Sequence, residues 1–178
     1  MKRKPYPPGQ SGIKRRSRFP EGPDFKKQLM EKQRFRFQYN VSESQMKQYF
    51  KEASKQTGNT VDNIVQLLES RLDAVMYRSG FAPSIFASRQ FTSHGHFLVN
   101  GKDMNIPSYR MRENDVLMIR PKSRNLAIFS DIKARSTTVP YLLVEVDKMK
   151  VTFLHFPLRE DVPIICDVPL VIEYFSRF

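Results

Sequence analysis

The sequence predicts an α+β fold in three parts: an N-terminal helical part preceded by a basic arm, a helix–helix–hairpin module, and a C-terminal region of strands. Three observations carry this expectation. Apolar residues recur at helical spacing from Phe25 onward, until Gly95. The period then changes around Asn100-Gly101, a pair that tolerates the positive φ angles of a two-residue hairpin turn. Beyond Val139, short runs rich in β-branched and aromatic residues are punctuated by Pro157, Pro163 and Pro169, which suits edges and turns.

Taken in order, Met1 to Arg18 is a Pro/Gly-interrupted basic arm without the apolar content for a core. Asp24 is placed to cap a helix over Phe25–Tyr39, with Phe25, Leu29 and Phe35 on one side. A second helix is expected from Ser42 to about Thr57, ended by Gly58, with Met46, Tyr49, Phe50 and Ala53 at helical spacing. Thr60 is placed to cap a third. Its stripe of Ile64, Leu68, Leu72 and Val75 faces a core, and Gly80 closes it. A short helix over Ser84–Ser93 follows. His96–Val99 and Lys102–Asn105 then flank the turn, and Asp115–Arg120 reads as a further strand. Ser123–Ala134 suits a helix, whereas Tyr141–Val146, Val151–Phe156 and Leu170–Tyr174 read as strands. The expected divisions are residues 1–70, 71–135 and 136–178.

Composition narrows the function. The chain has 178 residues, 40% of them hydrophobic, so a packed core is within reach. Its formal net charge of +12 attracts polyanions and repels second copies, so nucleic acid is the leading partner and a homo-oligomer is not expected. The charge is uneven: residues 1–36 carry +9, residues 37–130 carry +4 and residues 131–178 carry −1. No run is apolar for long enough to span a bilayer, so no membrane partner is expected; Met1–Lys4 is basic but leads into no apolar signal segment. The only cysteine is Cys166, which excludes an internal disulfide. With His94 and His96 it makes a poor metal set, so no metal or other cofactor is expected. His155 with Cys166, and Glu160 with Asp161, are the only pairs that suggest catalysis, and their contexts suit core or solvated roles.

Arg71, Arg78, Arg89, His94, His96, Lys102 and Tyr109 fall within one helix–helix–hairpin stretch. Arginine forks match phosphate geometry, and His or Tyr can stack on unpaired bases. The arm adds Lys4, Tyr6, Arg15 and Arg16.

RLDAVMYRSGF (Arg71–Phe81), SRQF (Ser88–Phe91) and HGHFLVNGKDMNIPSY (His94–Tyr109) closely resemble the RNA-binding module first named after the fourth small-subunit ribosomal protein. That module also occurs in certain tRNA synthetases, pseudouridine synthases and stress RNA-binding proteins. The flanks KPYPPGQSG (Lys4–Gly12), EKQRFRFQY (Glu31–Tyr39) and PLVIEYFSR (Pro169–Arg177) resemble the ribosomal family itself, over nearly the whole chain. The resemblance implies a fold in which the RNA-binding module is set into the helical part and the C-terminal strands return to the first part, and a non-enzymatic, structural constituent of the small subunit. Such a protein binds rRNA early, at a multi-helix junction of the 5′ domain, and nucleates assembly of the subunit body. It lies beside neighbouring small-subunit proteins, near the point where mRNA enters. It further implies RNA contacts at Lys4, Tyr6, Arg15, Arg16, Lys32, Arg34, Arg71, Arg78, Ser84, Arg89, His94, His96, Lys102, Ser108 and Tyr109, with Asn100 left out as a turn former.

The chain departs from the family pattern in places. The N-terminal cysteine cluster of many relatives has no counterpart among its residues, and the familiar GQHG is GQSG, with Ser11. Many relatives carry Arg after the serine that opens the second module helix; here Ile85 stands there, in PSIFASRQF. That segment is similar to the alphaproteobacterial branch. Six alanines against fourteen phenylalanines suit an AT-rich coding sequence. Together they point to a ribosome of the mitochondrial matrix, with the bacterial cytoplasm as the alternative.

Overall fold

A computed structural model describes residues 24–129 and 139–177 of the chain. Among them are six α-helices and a five-stranded antiparallel sheet. Lys4, Tyr6, Arg15 and Arg16, and the end of the expected Ser123–Ala134 helix, lie outside the described residues.

The first helix, α1, spans Asp24–Gln38, so Asp24 lies within its first turn. Its buried face differs from the expected stripe. Gln28, Lys32 and Phe35 point inward, whereas Phe25 is 44% exposed. Polar residues can occupy this face because each has a partner. The Gln28 amide donates to Glu173 at 2.8 Å, and Lys32 reaches Glu43 at 2.7 Å while lying over the Tyr174 ring. Helix α2 (Glu43–Ala53) opens on a reciprocal cap in which Ser42 accepts from the Gln45 N–H and the Gln45 side chain accepts from the Ser42 N–H. It ends at Ala53, before the expected Thr57.

Helix α3 (Thr60–Glu69) is capped by Asn59, not Thr60: the Asn59 Oδ1 accepts from the Val61 N–H. The continuous helix expected through Val75 is interrupted at Arg71, whose backbone is extended, and α4 (Leu72–Arg78) starts anew. The cause is tertiary. The segment at 107–111 runs alongside, with Leu72 N–H donating to Tyr109 O at 2.8 Å, Asp73 N–H to Pro107 O, and Met111 N–H to Ser70 O at 2.7 Å. These bonds replace those the helix would have made. Helix α5 (Ile85–Ser93) follows, with Ser84 as its cap and Gly95 in the left-handed region just beyond.

Strands β1 (Phe97–Val99) and β2 (Lys102–Met104) form the expected hairpin, with positive φ at both Asn100 and Gly101. The Asn100 side chain also fastens the turn to the next strand. It donates to Asp115 at 2.8 Å and accepts from the Val116 N–H at 2.9 Å. Strand β3 (Val116–Ile119) pairs with β1, and β4 (Leu142–Glu145) and β5 (Lys150–Phe153) complete the order β2-β1-β3-β5-β4. The C-terminal strands thus extend the module's own sheet through the β3–β5 pairing. Between them the chain makes two 3-10 turns, Pro121–Ser123 and Ala127–Phe129, where one helix was expected. Phe129 anchors this stretch by packing edge-on to Phe91, His96 and Phe97.

The expected strand at Leu170–Tyr174 is instead a helix, α6 (Val168–Ser176). Pro169 sits in its first turn, where no backbone N–H is needed. Val168, Val171 and Phe175 turn inward at helical spacing, and α6 packs on α1. This is how the C-terminus returns to the first part.

Candidate nucleic-acid interface

The module holds two kinds of cation. Arg71 is 1% exposed. Its Nε and Nη2 donate to the two Asp73 carboxylate oxygens at 2.9 and 2.7 Å, and its Nη1 donates to the Tyr49 hydroxyl at 2.7 Å. Arg78 makes a similar fork on Glu69, which is fully buried. Glu69 also accepts from the Tyr39 hydroxyl at 2.6 Å and the Tyr141 hydroxyl at 2.9 Å. One carboxylate thereby ties together the end of α1, helices α3 and α4, and the C-terminal part. Burial works against both guanidinium charges, but the carboxylates outweigh it and hold both arginines above their ordinary range. Burial, reinforced by Glu69, pushes both tyrosine hydroxyls well up, so they stay protonated as donors.

The resemblance marks Arg71 and Arg78 as RNA-facing, but the structure places their charged ends in the core. Lys32 is likewise inside, on Glu43. The physical reason is shared: each has a carboxylate partner close enough to satisfy its donors after desolvation.

The other candidates lie at or near the surface. Arg34 is exposed on α1, beside Glu31. Ser84 is half-buried, and its hydroxyl accepts from the Ala87 N–H as the helix cap. Arg89 is half-buried and donates from Nη1 to the Asn40 carbonyl at 2.7 Å, linking α5 to the end of α1. His94 is exposed at the end of α5, with its ring 6.0 Å from that of His96. His96 is half-buried, 3.0 Å from the Ser123 hydroxyl through Nδ1. Burial lowers its pKa, helped by the nearby His94 and Arg120 charges, so the ring is neutral at pH 7 and offers a donor or a stacking face rather than a fixed charge. Lys102 is exposed opposite Val99, beside the hairpin turn. His96 adjoins the other end of the hairpin, one strand length away, about 10 Å. Ser108 is exposed. Tyr109 is half-buried in a cleft of about 590 Å³ shared with Gln66, Arg110, Arg112 and Phe156. Ile85 is buried at the start of α5.

Three cations not singled out in the sequence join this surface. Arg112 and Lys122 are exposed, and Arg120 reaches Asp103 at 2.5 Å beside the two histidines. Their flanking of β3 was the available signal, since strand ends of a small sheet lie at its rim. Among the described residues there is no group of three or more metal-ligating side chains and no helix long and apolar enough to cross a membrane. His155 bonds to the Phe156 carbonyl, while burial pushes the Cys166 thiol up to about 11. Neither fits a nucleophile pair.

A helix pair, a hairpin and a rim of cations form an RNA-binding module of the kind described as "S4 domain", which residues 70–117 match. Residues 1–69 match the family described as "Ribosomal protein S4/S9 N-terminal domain". Full-length relatives agree. The chain is 46% identical over 182 residues to the "Small ribosomal subunit protein uS4" of Gluconobacter oxydans, covering 99% of this chain and 87% of that one. The protein of the same name from Thermus thermophilus is 45% identical, covering 99% and 85%, and that from Micrococcus luteus 40%, covering 99% and 86%. The chain belongs to the uS4 family of small-ribosomal-subunit proteins.

Proposed function

We propose that this chain is a structural, non-enzymatic constituent of the small ribosomal subunit that binds its rRNA. The contacts are Lys4, Tyr6, Arg15 and Arg16 of the basic arm, Arg34 on α1, and the surface residues of the module, Ser84, Arg89, His94, His96, Lys102, Ser108 and Tyr109. The observation that carries this reading is the division of charge within the module. The buried carboxylates Glu69, at the end of α3, and Asp73 are spent on Arg78 and Arg71, leaving Lys102, Arg112 and Lys122 exposed for phosphates. Family membership over 99% of the chain supports the same function.

Within that role the protein binds the 5′ domain early and nucleates assembly of the body. It acts as a single copy between neighbouring small-subunit proteins, near where mRNA enters. The resemblance of both flanks and module supports these finer assignments, and the +12 charge disfavours self-association. The division into residues 1–70, 71–135 and 136–178 belongs to the same reading. For the compartment we favour the mitochondrial matrix over the bacterial cytoplasm, on the PSIFASRQF segment and the Phe-rich, Ala-poor composition. The relatives named above are bacterial.

Sucrose-gradient sedimentation of fractionated organelles tests both levels. Cosedimentation with small subunits is expected; a purely free pool would overturn the ribosomal role. Recovery from the cytosol alone would overturn the compartment.

A further inference from the structure

In the N-terminal helical part, helix α2 carries a second basic face. Lys47 and Lys51 sit four residues apart on it, and Lys55 follows at the same spacing just past its end. All three are exposed. Like charges at this spacing repel, so the row carries a cost that a bound anion would remove. The helix's two acids do not offset it. Glu43 is held by Lys32 at 2.7 Å, and Glu52 is held by Arg110 through a two-pronged contact, one arm at 2.6 Å. Glu52 is turned about 100° round the helix from Lys51, toward Arg110.

The row borders a cleft of about 410 Å³, lined by Lys47, Phe50, Lys51, Ser54, Lys55 and Phe175. Its floor is an aromatic pair: Phe50 and Phe175 stack with centroids 5.4 Å apart and planes 27° from parallel. Phe175 is buried and Phe50 half-exposed, so α6 fixes one ring and the other meets the cleft. The cleft is in the size range of small-ligand pockets, roughly 300–1,000 Å³. Lysines around an aromatic floor suit a nucleotide, with phosphates on the ammonium groups and the base against the ring. A base inside a duplex cannot reach such a floor, which selects an unpaired nucleotide.

We propose that Lys47, Lys51, Lys55 and the Phe50–Phe175 floor form a further RNA contact, outside both the module and the basic arm, that takes an unpaired nucleotide of the bound RNA. This rests on the rRNA-binding reading and adds a site on the N-terminal helical part. The lysines set affinity and salt dependence; the floor sets the preference for single strands.

The test uses the full chain with two labelled probes, an oligouridine of about 12 nucleotides and a fully paired RNA duplex of equal length. Replacing Lys47, Lys51 and Lys55 together by Gln is expected to weaken oligouridine binding about tenfold or more. The same variant should lower the log–log salt slope by about 2, at about 0.7 per lost contact. Phe50→Leu keeps the core filled and is expected to weaken oligouridine binding about fivefold, with the slope and duplex binding unchanged. Unchanged oligouridine binding by the triple lysine variant would overturn the site. So would equal losses on both probes for Phe50→Leu, which would make the pocket no base receptor. A triple variant that keeps its RNA affinity but loses oligoglutamate binding would assign the face to an acidic protein segment instead. Wild-type protein that binds neither RNA would overturn the underlying rRNA reading, a result distinct from all of these.

Discussion

Arg71 and Arg78 differ from Lys102, Arg112 and Lys122 in position but not in sign of charge. The first two are buried on Asp73 and Glu69; the others are exposed, with no buried partner among the described residues. The difference teaches that a basic residue in an RNA-binding motif has two possible jobs. Where a carboxylate lies within reach and both can be desolvated together, the cation builds the fold. Where none does, it remains available to phosphate. The buried pairs thereby hold α3 and α4 at the break that presents the hairpin, so the fold-building cations position the surface cations.

The sharpest way to break this comparison is to remove a buried carboxylate. Glu69→Leu strands Arg78 and leaves the Tyr39 and Tyr141 hydroxyls without their acceptor. It is expected to cost about 3–5 kcal/mol, read as a lowered urea midpoint. Arg71→Met should cost somewhat less, about 3 kcal/mol, by leaving Asp73 unpaired. Asn100→Ala comes next, at about 1–2 kcal/mol. It loses two side-chain hydrogen bonds and places Ala at a positive φ of 51°. Ser42→Ala should cost about 1 kcal/mol through the α2 cap, with rRNA affinity unchanged in the folded fraction.

The smallest effect is pH dependence at His96. Its folded pKa lies below the ordinary 6.5, so protonation favours the unfolded chain. Its contribution is intact above about pH 6.5 and is lost as pH falls through the lowered folded value. His96→Gln should flatten that limb of the stability–pH curve, and an unchanged curve would remove His96 from it.

Much of the local structure was legible in the sequence for a physical reason. Asn100-Gly101 and Gly95 act through their own backbone, and each did what its chemistry suggested. What was not legible depended on contacts distant in sequence. The break at Arg71 comes from the 107–111 segment, and the exposed Phe25 from the pairing of Gln28 and Lys32 with α6 and α2. At α6, a short β-branched run fits either period, and Pro169 suits a strand edge as well as a helix start. At the candidate site, residue type marked Arg71 and Arg78 correctly as special but not their direction. Glu69 and Asp73 stood two to nine residues away, yet only the fold shows that all four side chains are desolvated together.

The most direct measurement is the salt dependence of binding to an rRNA fragment carrying the 5′-domain junction, between about 50 and 200 mM salt. A variant with Lys102, Arg112 and Lys122 changed to Gln should keep the wild-type urea midpoint. It should bind the fragment more weakly, with a log–log slope shallower by about 2–3. An unchanged slope and affinity in that variant would contradict the division of labour between buried and surface cations.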